Sequence, residues 1–279
     1  MTIKVVTDSV ADLPPQVVKE LGITVIPLNV RFGEEVYRDG IDLTAEQFYE
    51  KLKYSKTLPV TSVPSPQSFA DAYDKLAEET DEILAIILSS KLSGTYEVAL
   101  QSIGLMKRKC RVEVVDSQWA VMAEGFIVIA ATKAAQVGAS FDEVMDITHG
   151  NMKRVDMRAA FDTLEYLRRG GRIGRARALL GSMLRVNPII TLKDGVVEPA
   201  GRTRSRAMAI DHLYNFAMSF SHIEGIAVED AACPGDAELL VERLSSKFPK
   251  ERIYRSKTTP VIGTHTGPGL LLVAILGDK

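Results

Sequence analysis

Nine consecutive residues carry the densest chemistry of this chain: Ser89-Ser90-Lys91-Leu92-Ser93-Gly94-Thr95-Tyr96-Glu97. They follow an Ile-rich apolar run over 83–88 that reads as a buried parallel strand, and the residues after them, to about 106, have helical spacing. In a strand–loop–helix unit the loop lies at the carboxyl end of the strand, where open α/β sheets bind their ligands. Ser93 stands where it can cap the helix and Gly94 lets backbone approach a bound group, so hydroxyl and N–H donors converge on a point that favours an anion. The same residues also fit a plain junction in which Ser93 caps its own helix and Gly94 only makes the turn.

Thr264-His265-Thr266-Gly267-Pro268-Gly269 is the second such stretch. A histidine between two threonines in a Gly/Pro loop is expected to display its imidazole, and imidazole and hydroxyls together can hydrogen-bond a carboxylate or phosphate. Polar residues also close other strand-like runs, at Thr7-Asp8-Ser9, Thr61-Ser62 and Asp116-Ser117. In a parallel sheet these ends share one edge and could converge, although Asp and Ser there are also ordinary caps. A basic stretch holds Arg168, Arg169, Arg172, Arg175 and Arg177, with Arg202, Arg204 and Arg206 beyond it. No aromatic residues interleave for base stacking, so an acidic or phosphate-bearing protein partner is the better functional reading beside a solvated helix face. The chain has no Gly-x-x-x-x-Gly-Lys-[Ser/Thr] loop, no His-Glu-x-x-His and no Gly-x-Ser-x-Gly elbow. Ser93, His265 and Asp116 could in principle form a nucleophile, base and orienter, but nothing in their spacing requires it.

The elements that position these residues follow from periodicity. Strands are expected over 3–7, 23–31, 83–88 and 112–115, alternating with helices over 14–21 (capped by Asp12), 44–54 (a Thr44/Gln47 capping box), 65–79, and 120–136. The last is apolar nearly all round, which implies burial on several sides. Ser140 and Glu143 box a helix over 141–152. Thr61-Ser62-Val63-Pro64 reads as an extended loop, since the residue before proline avoids the helical region. Beyond 150 the rhythm changes: a strand over 157–161, short helices over 164–169 and 176–184, a hairpin through Asp194-Gly195, then further helices and strands to 275. The expected fold is α/β with two domains, 1–150 carrying a parallel sheet with helices on both faces and 151–279 a smaller mixed-sheet α/β domain.

Composition agrees. The chain has 279 residues, 46% of them hydrophobic, enough for a large core, and a formal net charge of −2 that gives no general attraction to nucleic acid or anionic membranes. Two cysteines without a Cys-x-x-Cys or Cys/His cluster suit a reducing cytoplasm. No signal-peptide pattern opens the sequence and no apolar run approaches the ~20 residues of a membrane span, so a soluble, cytoplasmic protein without membrane insertion is expected.

Taken in order, Val6-Thr7-Asp8-Ser9, Thr61-Ser62-x-Pro64-Ser65, Ser89-Ser90-x-Leu92-Ser93-Gly94-Thr95-Tyr96, Val115-Asp116-Ser117, Gly170-Gly171-Arg172-Ile173, Leu180-Gly181, Arg202-Thr203-Arg204 and Gly263-Thr264-His265-Thr266-Gly267-Pro268-Gly269 resemble the DegV family of bacterial fatty-acid-binding proteins, nearly end to end. The resemblance implies a non-catalytic protein that buries a long-chain fatty acid between two α/β domains and needs no cofactor. Its carboxylate would be held by Thr61 and Ser93, with the Gly94 amide and His265 nearby, and Ser62, Thr266, Met122 and Phe126 would add to the lining. It further implies a separate ATP-dependent fatty acid kinase subunit as partner, docking near Arg172 and Arg202 to make an acyl phosphate. An enzyme on the same fold, a serine acyl hydrolase or a small-metabolite phosphotransferase, is the alternative. The chain departs from the family pattern at Val63, Ala123-Glu124-Gly125 and Asn187, and carries bulky Trp119 and Val121, which bears on the acyl chain accepted.

Overall fold

The computed structural model describes residues 3–182 and 186–279, without the side chains of residues 181 and 182. The first sheet is built from β1 (Lys4–Asp8), β2 (Thr24–Ile26), β6 (Glu82–Ile87) and β7 (Arg111–Asp116), all parallel, in the order β2-β1-β6-β7. Residues 83–87 of β6 are buried without alternation, as a strand covered on both faces must be. A second, antiparallel sheet inserts between β2 and β6. Its strands are β3 (Asn29–Phe32), β4 (Glu35–Arg38) and β5 (Val60–Ser62), in the order β4-β3-β5.

That small sheet corrects two expectations. The run over 23–31 is two strands in different sheets, because Pro27 has no N–H for a ladder and the Leu28 N–H turns to Ser9 Oγ at 3.1 Å. Thr61-Ser62 is part of strand β5 rather than a loop.

Helices α1 (Pro15–Leu21), α2 (Ala45–Tyr54), α3 (Pro66–Leu76), α4 (Thr95–Ser102), α5 (Val121–Gln136) and α6 (Phe141–Met152) fill the connections. The Thr44/Gln47 and Ser140/Glu143 capping boxes both form. Two caps differ. Asp12 does not cap α1, which starts without a side-chain cap; it adopts a left-handed conformation (φ 47°) after a 3-10 turn at Ser9–Ala11. Ser93 is displaced from the cap of α4 by Gly94, which has no side chain to accept a bond.

After α6 the chain changes sheet. β8 (Val155–Ala160), β9 (Asn187–Lys193), β10 (Val196–Thr203), β11 (His222–Asp230), β12 (Ile253–Lys257) and β13 (Leu271–Asp278) form a mixed sheet in the order β10-β9-β8-β13-β11-β12, parallel only at β11–β12. Asp194 (φ 52°) and Gly195 (φ 78°) make the tight β9–β10 turn, since both central residues need the left-handed region there. Its helices are α7 (Glu165–Arg169), α8 (Arg206–Met218), α9 (Pro234–Leu244) and α10 (Pro260–Thr266). The helix expected over 176–184 is a 3-10 segment, Gly174–Ser182, and the expected remainder from 183 lies outside the described residues.

One apolar core runs from Ile3 to Leu276 and joins the two large sheets. Helix α5 lies at its centre, touching β1 and β6 on one side and β8, β11 and β13 on the other, with α1 and α6 alongside. This is why its sequence has no polar face. A smaller core under α8 and α9 covers the other face of the second sheet.

Candidate functional site

A narrow apolar cavity of about 100 Å³ lies between the two large sheets. The parallel-sheet side contributes Val10, Leu88, Leu92 and Val121, and the mixed-sheet side Met157, Phe161, Ile190 and Leu272. Its polar groups are few: Thr61, Ser93, Arg172, His265 and Thr266. The site therefore stands at the carboxyl ends of the parallel strands, as the loop after β6 indicates.

Thr61 reaches the cavity because strand alternation turns it inward while Ser62, its neighbour, is exposed. His265 reaches it from α10, not from a loop, and is partly buried rather than displayed. Thr61 Oγ1 and His265 Nε2 are 2.8 Å apart. The other ring nitrogen, Nδ1, is buried with no partner and rests on Gly170, where a Cβ would lie 2.3 Å from it. Burial, reinforced by the nearby Arg172 guanidinium, lowers the His265 pKa to about 4, so the ring is neutral at physiological pH.

Ser93 lines the cavity with its Oγ 2.9 Å from Thr95 Oγ1. Gly94 follows it as the first turn of α4 begins, 4.0 Å from Val63 Cγ1 if it carried a Cβ. Thr266 is on the wall, its hydroxyl donating to the Ile262 carbonyl at 2.9 Å. Arg172 bridges the two sides: Nε donates to the Leu92 carbonyl at 3.0 Å and a terminal nitrogen to the Gly170 carbonyl at 2.6 Å. It also lines a surface cleft of about 290 Å³ with Leu58, Tyr166 and Arg169, and the cleft shares Thr61 and His265 with the cavity. Periodicity could not reveal Arg172 as a wall residue; the adjacent Gly170-Gly171 pair was the available signal of a close approach.

Several sequence candidates lie elsewhere. Met122 and Phe126 are core residues and not cavity lining: Phe126 packs edge-on against Tyr254 and would sit 2.7 Å from a methyl group at Gly225. Ser62 faces solvent. Arg202, exposed on β10, stands opposite Pro188 and apart from the cavity wall. Asp8 accepts the N–H groups of Val10 and Leu88, and Asp116 accepts from Ser90 and Gln118, so these strand-end acids tie loops together. Asp116 is thus committed away from His265, and Ser93, His265 and Asp116 form no hydrogen-bonded relay. Arg168 and Arg169 both pair with Glu165, Arg175 with Glu198, and Arg206 with Asp236, so much of the basic stretch is neutralised within the fold.

Sequence reading did not group a set of buried acids, Asp8, Asp12, Asp39, Glu124 and Glu229, of which the first three line a separate cleft. Burial pushes Asp8 up to about 7 and Asp39 up to about 6, and raises Glu124 well above the ordinary range.

The chain is thus an α/β protein with an apolar cavity between a parallel and a mixed sheet and a small cluster of hydroxyls, imidazole and guanidinium on its wall. The chain belongs to the DegV family: the family described as "Uncharacterised protein, DegV family" matches residues 2–278. A DegV domain-containing protein of Streptomyces coelicolor is 38% identical over 98% of both chains, and Protein DegV of Bacillus subtilis is 36% identical over 97% of this chain and 98% of that one. Among solved structures, a DegV family protein from Thermus thermophilus described by its fatty acid binding superposes with a TM-score of 0.91 at 33% identity, covering 99% of this chain and all of that one. DegV from Bacillus subtilis, described as a fatty acid binding protein, superposes with a TM-score of 0.90 at 33% identity over the whole of both chains.

Proposed function

We propose that this protein binds one long-chain fatty acid without chemically changing it. The carrying observation is the Thr61–His265 hydrogen bond at the polar end of an otherwise apolar cavity. Burying ~14 methylenes at ~0.8 kcal/mol each supplies ample driving force, so the polar end needs only to orient the headgroup. A lone pair against the Gly170 Cα costs less than a stranded N–H donor, which favours the tautomer with Nδ1 unprotonated. His265 Nε2–H then donates to Thr61 Oγ1, and the Thr61 hydroxyl proton is free to donate to a carboxylate. Ser93 Oγ–H and the Gly94 amide supply further neutral donors, with Thr266 beside them, and Arg172 offsets the carboxylate charge.

The finer reading extends this. Residues 1–150 and 151–279 act as two domains closing on the ligand, in the cytoplasm, and the carboxylate is presented to a separate ATP-dependent fatty acid kinase subunit for acyl phosphate formation. The shared cleft beside Arg172 supports presentation, because it gives the polar end an approach from outside. Arg172 and Arg202 would help the partner dock. Binding is favoured over hydrolysis because Ser93 is paired with Thr95 and His265 with Thr61, so no base is poised on the serine hydroxyl.

Denaturing mass spectrometry of lipid extracted from the purified protein, set against the intact native mass, tests the reading. One free fatty acid per chain supports it. A protein that arrives empty and takes up no fatty acid on titration overturns it.

A further inference from the structure

Asp12 and Glu229 face one another across the seam between the sheets. Both are wholly buried. One oxygen of each is held by a backbone N–H: Asp12 Oδ1 by Thr259 at 3.2 Å, and Glu229 Oε1 by Met122 at 2.8 Å. The remaining oxygens, Asp12 Oδ2 and Glu229 Oε2, are buried without a partner. Ser256 is the register neighbour of Glu229 on β12 and donates its hydroxyl to the Asp12 carbonyl, which sets the two carboxyl groups side by side.

Two ionised carboxylates buried side by side repel one another, whereas one proton between them satisfies both orphaned oxygens. The surroundings reinforce this. Asp8 of β1, Asp39 from the connection after β4, Glu124 of α5 and Asp230 of β11 add acid, and the Tyr49 hydroxyl of α2 stays neutral against Thr258. Arg255, the cation facing Glu229, is engaged with Asp230, and Lys257 is paired with Glu46. Among the described residues no three His, Cys, Asp or Glu side chains are placed to hold a metal ion.

The pair is tied to the cavity wall through one stretch of backbone. Met122, whose N–H Glu229 holds, follows Val121, a cavity-wall residue at φ 55°. A β-branched residue keeps that conformation only where its surroundings over-determine it. We propose that Asp12 and Glu229 share one buried proton that locks the Asp12 turn to β11, and that losing this proton at alkaline pH slackens the wall at Val121 and speeds release of a bound fatty acid. Burial first, and the neighbouring negative charges second, raise Asp12; burial likewise dominates at Glu229. The release half of this inference rests on the fatty-acid reading; the shared proton does not.

The test starts with ligand-free protein. Carboxyls with raised pKa values hold more protons folded than unfolded, so stability falls as pH rises from about 5 through 7 and above. The thermal midpoint of the wild type should fall across pH 5 to 9. In Glu229→Gln, whose amide can donate to Asp12 Oδ2, the slope should be shallower by one proton. Equal slopes overturn the shared proton. If Glu229→Gln does not fold, infrared spectroscopy of wild type and Asp12→Asn decides: a protonated-carboxyl band at pH 7 that is smaller in Asp12→Asn by one carboxyl supports the pair, and a band of equal size in both overturns it. For release, the dissociation rate of cis-parinaric acid should rise at least fivefold between pH 6 and 9 in wild type and less than twofold in Glu229→Gln. A flat wild-type rate overturns the coupling to the cavity. If cis-parinaric acid binds at no pH, the fatty-acid reading and the release half fail together, and the thermal slope still decides the proton.

Discussion

Thr61 and His265 lie 204 residues apart in the chain and meet at 2.8 Å, one on the edge of a small antiparallel sheet and the other on a seven-residue helix. Each therefore depends on the other's element for its position. His265→Ala removes the N–H that donates to Thr61 Oγ1 and should weaken fatty acid binding by about 1–2 kcal/mol, or ~5–30-fold, in probe displacement. Unchanged affinity would remove His265 from the carboxylate end.

The imidazole of His265 should titrate abnormally. Its folded pKa of about 4 lies below the ~6.5 of an unfolded histidine, so folding favours the neutral ring. Its contribution to stability is complete above pH ~6.5 and is lost as pH falls toward 4. NMR of the ring protons should show no titration from pH 8 to 5.5; a midpoint above 6 would contradict the burial of the ring.

Gly170 has an ordinary φ of −73°, so alanine there is conformationally harmless, but its Cβ would lie 2.3 Å from His265 Nδ1. Gly170→Ala should push the imidazole off Thr61 and reproduce the affinity loss of His265→Ala. Combined, the two changes should cost little more than either alone, because both break one contact. Full additivity in the double-mutant cycle would show that they act separately.

Ser93→Ala discriminates carrier from hydrolase. A carrier loses about 1–2 kcal/mol of fatty acid affinity. An acyl hydrolase would lose turnover on a p-nitrophenyl ester by orders of magnitude, and detection of such turnover in the wild type would sink the carrier reading.

Phe126 belongs to the core, so Phe126→Ala should cost about 3–5 kcal/mol in urea unfolding while leaving the order of preference among acyl chain lengths unchanged. A changed chain-length order would place Phe126 at the cavity after all.

What could be read from the sequence was what local chemistry dictates. The capping boxes at Thr44/Gln47 and Ser140/Glu143, the Asp194-Gly195 turn and the all-apolar α5 each follow from residues a few positions apart. Ser93 and Thr61 were legible as polar groups near strand ends and His265 as a polar group in a Gly/Pro stretch, but not the elements that carry two of them. Gly263, Gly267 and Pro268 disguise α10 as a loop; Gly263 is there because a Cβ would meet the Phe48 ring at 2.6 Å, a contact made across the fold. Met122 and Phe126 were misplaced because a helical stripe looks the same whether it faces a core or a cavity. Asp12 and Glu229 each read as ordinary polar residues until folding sets them side by side.

Strand β13 lies between β8 and β11, at the middle of its sheet, yet it follows every other element in chain order. A ribosome delivers the outer strands first and leaves a gap where the hydrogen-bonding partner of both β8 and β11 belongs. The nascent chain can assemble the parallel sheet early, but Leu270 and Leu272, and the wall they complete, arrive after every other wall residue. A lipid captured during synthesis would therefore have to wait for β13, and a chain that stops short of it should hold none.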